Sequence, residues 1–223
     1  MPKRKATAAG AGRQSKRSKA ATMKQAFIWK PREWTEKRTI TPEVSVLASR
    51  ITRKSLMVRK VLPVDASSSE DESRPFEIRA LSLLPDCNRI VKPLLYLPSN
   101  PDPQHDTIFF QHYPLGDLEQ WKEKAFDRKN NKPVPESYIW RCFLQISQAL
   151  AFLQNQIGPE REERRCMLHR DIKPDNILVV DNGTTYPSFK LHDFDCAAIY
   201  KTEEAHLPEL CGTFQWQPPE VIT

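Results

Sequence analysis

Between Gly12 and Gly116 there is not one glycine, and the whole chain holds six against nineteen prolines. That span cannot build a phosphate cradle from closely approaching backbone N–H groups, because only glycine lets the backbone come so near. Residues 1–24 contain no acidic side chain. No apolar run approaches the roughly 18 residues of a membrane span, and the N-terminus lacks the apolar segment of a secretory signal, so no membrane partner is expected. Nowhere do two cysteines form a C-x-x-C pair, and the five present (Cys87, Cys142, Cys166, Cys196, Cys211) are odd in number. That pattern predicts reduced thiols in an intracellular protein rather than a disulfide frame or a zinc site.

What is present suffices for a packed core: 223 residues, 39% hydrophobic, with five Trp and ten Phe. The net charge of +6 is concentrated at one end, where Lys3, Arg4, Lys5, Arg13, Lys16, Arg17, Lys19 and Lys24 stand. The remainder carries 26 bases against 28 acids, so the body has no overall bias towards nucleic acid, and any such binding would be weak and confined to the tail. The tail's Ala, Gly, Ser and Lys composition predicts disorder. Its two basic clusters, Lys3–Lys5 and Lys16–Lys19, resemble a bipartite nuclear localisation signal, which would make a nuclear import receptor a partner and favours a nuclear over a cytoplasmic location.

From Phe27 to Leu118 the apolar residues fall in short runs, "EVSVLASR", "SLMVRKVL" and "TIFFQHY", and "PFEIRALSLL" alone reads as a helix. "ASSSEDES", Ala66–Ser73, is a polar loop between them. In "PESYIWRCFLQISQALAFLQNQ" the residues Ile139, Cys142, Phe143, Ile146, Ala149, Leu150 and Leu153 recur at three and four residue steps, which predicts a core helix. A β-rich unit followed by a helical one places a ligand cleft at their join.

The densest chemistry lies in "LHRDIKPDNILVV", Leu168–Val180. It ends in one strand-like run, Ile177–Val180, and a second, Phe189–His192, follows through an Asn182-Gly183 turn signal, the two expected to pair antiparallel. With Ile177 opposite His192, Asn176 would face Asp193, two oxygen ligands suited to a hard cation such as Mg²⁺. Asp171 lies on the same loop, and Lys173, held extended by Pro174, can point into the same volume. An acid to take a proton, a lysine to neutralise phosphate and two metal ligands are the parts of a phosphoryl transfer site.

These residues resemble the eukaryotic protein kinase family, of the serine/threonine type. "HRDIKPDN" matches the family's catalytic loop at every fixed position, Asp193-Phe194 matches the start of D-F-G, and "GTFQWQPPE", Gly212–Glu220, resembles the end of the activation segment. The resemblance implies an α+β, two-lobed fold: a β-rich N-lobe with one helix over 25–113, and a partial helical C-lobe over 114–223, behind the tail of 1–24. It implies ATP and Mg²⁺, with Asp171 as catalytic base, Lys173 as charge stabiliser, and Asn176 and Asp193 as metal ligands. Lys60, of "SLMVRK", would clamp the phosphates and be held by Glu77. Phe110, His112, Tyr113 and Leu178 would surround the adenine. Arg170 would answer a phosphorylated residue, for which Thr202 and Tyr200 are candidates and Glu203 and Glu204 permanent substitutes; Thr213 would hydrogen-bond the catalytic loop.

The sequence departs from the family in three places. "RTITPEVSV", Arg38–Val46, stands where a glycine-rich loop covers the triphosphate, and Asp195 replaces the glycine of D-F-G, close to Asp193. The family's helices beyond A-P-E have no counterpart up to Thr223, so the helix at Ile139–Leu153 is expected to lose cover, as in a fragment or a chain completed by a partner. The expected activity is transfer of the γ-phosphoryl group of Mg-ATP to Ser/Thr hydroxyls of a protein substrate. The alternative is a pseudokinase, a kinase-like binding module without catalysis.

Overall fold

The computed structural model describes residues 27–52, 54–64, 74–159, 166–200 and 210–219. The basic tail with its import signal, the polar loop at 66–73, Thr202 with Glu203 and Glu204, and Glu220 lie outside the described residues. The fold is α+β, a sheet-rich part followed by a part that carries the long helix, as expected.

The apolar runs up to Gln111 form a five-stranded antiparallel sheet in the order β1-β2-β3-β5-β4. Its strands are β1 (Trp34–Thr39), β2 (Val44–Ser49), β3 (Leu56–Pro63), β4 (Pro93–Leu97) and β5 (His105–Gln111). Alternation along a strand decides which side chain goes where. On one face Leu47, Met57 and Phe109 are buried beneath Phe27, Trp29 and Trp34; the Trp29 and Phe109 rings lie 4.4 Å apart between centroids. On the other face Val46, Val58, Lys60, Leu62 and Phe110 look into a cleft. Helix α1 (Phe76–Leu83) packs against this side by burying Glu77, Ile78, Ala80 and Leu81.

Beyond the sheet, Asp117 caps the short helix α2 (Leu118–Lys122) by accepting from Gln120 N at 2.7 Å. Helix α3 (Glu136–Leu153) buries Gln145, Ile146, Ala149, Phe152 and Leu153, one face at three and four residue spacing. Gln145 fixes it to the neighbouring hairpin, since its Oε1 accepts from Phe189 N (2.8 Å) and from the Arg89 guanidinium (3.1 Å). The stripe read from the sequence is only half buried. Ile139 and Phe143 are exposed, with Trp140 and Leu144 beside them, because the described residues pack on the Ile146 and Leu153 face alone.

Two short antiparallel pairs carry the charged loop: β6 (Cys166–Leu168) with β9 (Ala198–Tyr200), and β7 (Ile177–Val180) with β8 (Ser188–Leu191). In the second pair Ile177 stands opposite Leu191, not His192, so the expected register is corrected by one residue. The seven residues joining the strands set this offset, and His192 N instead donates to Asn176 O at 3.1 Å.

The cysteines also correct the sequence reading. Cys196 and Cys211 form a disulfide, their Cα atoms 5.6 Å apart, while Cys87, Cys142 and Cys166 remain thiols outside any disulfide. Spacing in sequence could not show this, because what brings the two together is a third residue. Arg170 Nε donates to Cys196 O at 2.7 Å, and Gly212, next to Cys211, lies so near Arg170 O that a Cβ there would be 2.3 Å from it. No described helix is long and apolar enough to cross a membrane.

Thiol titration of the denatured, unreduced protein is expected to count three free groups, and five after reduction; five before reduction would refute the pairing. Removing a buried side chain from α3 should also separate from removing an exposed one. Leu153→Ala is expected to cost about 2 to 5 kcal/mol and lower Tm by about 5 to 15 °C, whereas Phe143→Ser should stay within about 0.5 kcal/mol. Equal losses in thermal melts would contradict the burial of the one face and the exposure of the other.

Candidate functional site

The join between the sheet and the α3 side of the molecule is a cleft of about 970 Å³, at the large end of the range that small-molecule sites occupy. Val46 and Val58, paired across β2 and β3, and Phe110, opposite Val58 on β5, line its roof. Gln111, His112 and Tyr113 form the strap leaving β5, and Leu178 closes the floor. Of the sequence-derived residues, Lys60, Glu77, Phe110, His112, Tyr113, Lys173, Asn176, Leu178, Asp193 and Thr213 all line this one cleft. Arg170 and Asp171 do not line it but sit directly behind Lys173 and Thr213.

The cleft holds two electrostatic centres of opposite design. In the first, one cation is surrounded by acids. Lys60 Nζ donates to Glu77 Oε2 (2.8 Å), Asp193 Oδ1 (3.0 Å) and Asp195 Oδ2 (2.7 Å). Burial disfavours its charge, yet the attraction of Glu77, Asp193 and Asp195 outweighs that and holds the ammonium protonated above its ordinary range. Burial, foremost, pushes Glu77 up to about 7, with Lys60 opposing and the other two carboxylates adding to the rise. Glu77 Oε1 also accepts from Phe194 N at 3.4 Å. Phe194 is itself fully buried, edge-on to His169 with ring centroids 4.9 Å apart.

In the second centre, one acid is surrounded by donors. Asp171 Oδ1 accepts from Thr213 N at 2.8 Å, and Oδ2 accepts from Asn176 Nδ2 at 2.8 Å and lies 3.0 Å from Lys173 Nζ. Lys173 Nζ donates in addition to Thr213 Oγ1 at 2.7 Å. Burial works to raise the Asp171 pKa, but the hydrogen bonds from Lys173 and Thr213 prevail and hold the carboxyl below its usual range. Asn176 uses its amide N–H groups on Asp171 O (2.9 Å) and Oδ2, which leaves its side-chain oxygen for a cation. That oxygen and the Asp193 carboxylate are hard donors lining the cleft, a set that fits Mg²⁺.

Backbone geometry builds both centres. Lys173 is extended (φ −148°, ψ 164°) ahead of Pro174, and a single tight helical turn over Pro174–Asn176 then aims Asn176 back at Asp171. Arg170 (φ 63°) and Asp193 (φ 65°) are left-handed without being glycine, an arrangement that costs roughly 1 to 3 kcal/mol each and persists only where the surroundings enforce it. The turn between β1 and β2 is built for itself rather than for a ligand. Ile40 N and Thr41 N both donate to Val44 O, Val44 N donates to Thr41 O, Thr41 Oγ1 donates to Glu43 Oε2 at 2.9 Å, and Pro42 has no N–H.

Sequence reasoning missed several participants. Val46 and Val58 were legible as strand residues, but only the pairing of β2 with β3 shows that they share the cleft face. Asp117 and His192 also line the cleft; the Gly116-Asp117 step ahead of a helix was a usable signal for the first, and nothing local marked the second. The proximity of Asp195 to Asp193 was visible, but not its bond to Lys60, 135 positions away in sequence.

Comparison with known proteins agrees with this geometry. The protein kinase domain family model matches residues 33–223. Cyclin-dependent kinase 4 of Mus musculus is 46% identical over 116 residues, covering 52% of this chain and 32% of that protein. A probable serine/threonine-protein kinase nek2 of Dictyostelium discoideum is 34% identical over 115 residues, 52% of this chain and 24% of that one. Serine/threonine-protein kinase PAK 5 of Rattus norvegicus is 31% identical over 131 residues, 55% of this chain and 16% of its own length. The matched region thus spans a third or less of these relatives. With a family match over most of its length and the charged centres of its motifs assembled in one cleft, the chain belongs to the protein kinase family.

Proposed function

We propose that the chain is a serine/threonine protein kinase, transferring the γ-phosphoryl group of ATP to a hydroxyl of a protein substrate. The observation that carries this reading is the Asp171 centre: a carboxylate kept ionised, oriented by three donors, beside a lysine. Asp171 lies directly behind Lys173 and Thr213, which line the cleft, within reach of a substrate hydroxyl whose proton it takes as the oxygen attacks the γ-phosphorus and the bond to ADP breaks. Lys173 stands between that carboxylate and Thr213, placed to stabilise charge gathering on the transferred phosphoryl oxygens.

Lys60, held by Glu77, holds the α and β phosphates, and the adenine lies between Val46, Val58 and Leu178 against the strap at His112 and Tyr113. Mg²⁺, when bound by Asn176 and Asp193, neutralises phosphate charge. With the β1–β2 turn using its N–H groups internally, binding rests on these side chains rather than on a backbone cradle. The substrate peptide meets the exposed Phe214 and Trp216 beyond Thr213.

Asp171→Asn is expected to lower turnover by roughly 10² to 10⁴ in a phosphoryl-transfer assay while leaving nucleotide binding nearly unchanged. Equal turnover in the two proteins would remove Asp171 from the chemistry.

The self-contained β1–β2 turn also favours a second reading, a kinase-like binding module that does not turn over ATP. A thermal melt separates the two at the binding step. A ligand at a hundredfold excess over Kd adds about 2.7 kcal/mol to the folded state, so Mg-ATP is expected to raise Tm of the parent protein but not of Asp193→Ala. A cooperative melt that Mg-ATP leaves in place would favour the binding module.

A further inference from the structure

A lysine ammonium has three N–H donors, and Lys60 has all three engaged, by Glu77, Asp193 and Asp195 at 2.7 to 3.0 Å. Three carboxylates therefore meet one cation, with their oxygens within 4.8 Å of one another. A phosphate approaching Lys60 finds no free donor, and one carboxylate must leave before it can be held. The three are not equally free to go. The Glu77 side chain is 2% exposed, and its second oxygen is tied to Phe194 N. Asp193 is 34% exposed and fixed by its left-handed backbone. Asp195 is 51% exposed and makes the shortest of the three contacts from the open side of the cleft.

We propose that Asp195 is an internal stand-in for the nucleotide's phosphate, occupying the third donor of Lys60 in the free protein and competing with the incoming phosphate for it. The inference rests on the reading of Lys60 as the phosphate-binding lysine and adds a regulator of that site. Its carboxylate, once displaced, remains near the phosphates, so its negative charge opposes their binding twice over, by holding Lys60 and by repulsion. Only the phosphates are affected; the apolar lining by Val46, Val58 and Leu178 is untouched.

The test is isothermal titration of the full chain and of Asp195→Asn, which keeps the shape and removes the charge, with Asp195→Ala as a second variant. The probes are ATP, ADP and adenosine in EDTA, then Mg-ATP. Both variants are expected to bind metal-free ATP and ADP about five- to tenfold more tightly than the parent protein, with adenosine affinity unchanged, since adenosine has no phosphate to compete. Unchanged ATP affinity alongside normal adenosine binding would overturn the competition while leaving the nucleotide reading intact. Weaker Mg-ATP binding in the variants, with metal-free ATP unchanged, would also overturn it and make Asp195 a metal ligand. If none of the probes binds either protein, the nucleotide reading falls and takes this inference with it.

Discussion

The ion pair between Lys60 and Glu77, 2.8 Å across a boundary that water barely reaches, is the contact on which the rest of the architecture depends. It joins the central strand β3 to helix α1, and through Glu77 Oε1 it reaches the backbone of Phe194, which is packed on His169 in the charged loop. Sheet, helix and catalytic-loop region are thus set relative to one another by a single acid and its two bonds. Losing Lys60 leaves the buried Glu77 without its cation, a penalty of about 3 to 5 kcal/mol, whereas losing Glu77 leaves Lys60 still paired with Asp193 and Asp195. The same pair fixes Lys60 at the edge of the cleft, so the position of this lysine and the packing of the helix on the sheet cannot be separated.

The two electrostatic centres mirror each other. Around Lys60, carboxylates outnumber the cation, which leaves an excess of negative charge at that centre. Around Asp171, donors outnumber the acid, which keeps it ionised and oriented. Between them lies a backbone bent at Asp193 into a conformation unfavourable for any residue other than glycine. The strain is sustained because both flanks are anchored, by Lys60 on Asp193 and Asp195, and by His169 Nε2 donating to His192 O, 2.9 Å away.

Much of this was legible in the sequence, and the failures have physical causes. "HRDIKPDN" with Asp193-Phe194 after it specified which charged groups would share a cleft, because fixed local spacing and a strand pair leave few ways to arrange them. The helix at Phe76–Leu83 and strands β2, β3 and β5 followed from periodicity. The register of β7 with β8 did not, since a seven-residue connection can shift pairing by one without altering either strand's composition. Periodicity in Glu136–Leu153 shows an apolar stripe but not which of its residues stay covered; Phe143, part of that stripe, is exposed, in line with the loss of cover expected for this helix. Asp195 and the cysteines failed for a shared reason: their partners are chosen by how the chain folds back around Lys60 and Arg170, and no local pattern encodes that.

The Cys196–Cys211 bond has a topological consequence. It turns the stretch between those two residues into a closed covalent ring whose knot lies against Arg170. A protease that cuts anywhere inside the ring opens it without releasing either side: the portion bearing Asp171 and Lys60 stays covalently joined to the portion bearing Gly212 and Thr213. Thr213 and Asp171, in contact in the intact chain, are then carried by two polypeptides held by one bond between sulfurs, so the tether between them does not require an unbroken backbone through that segment.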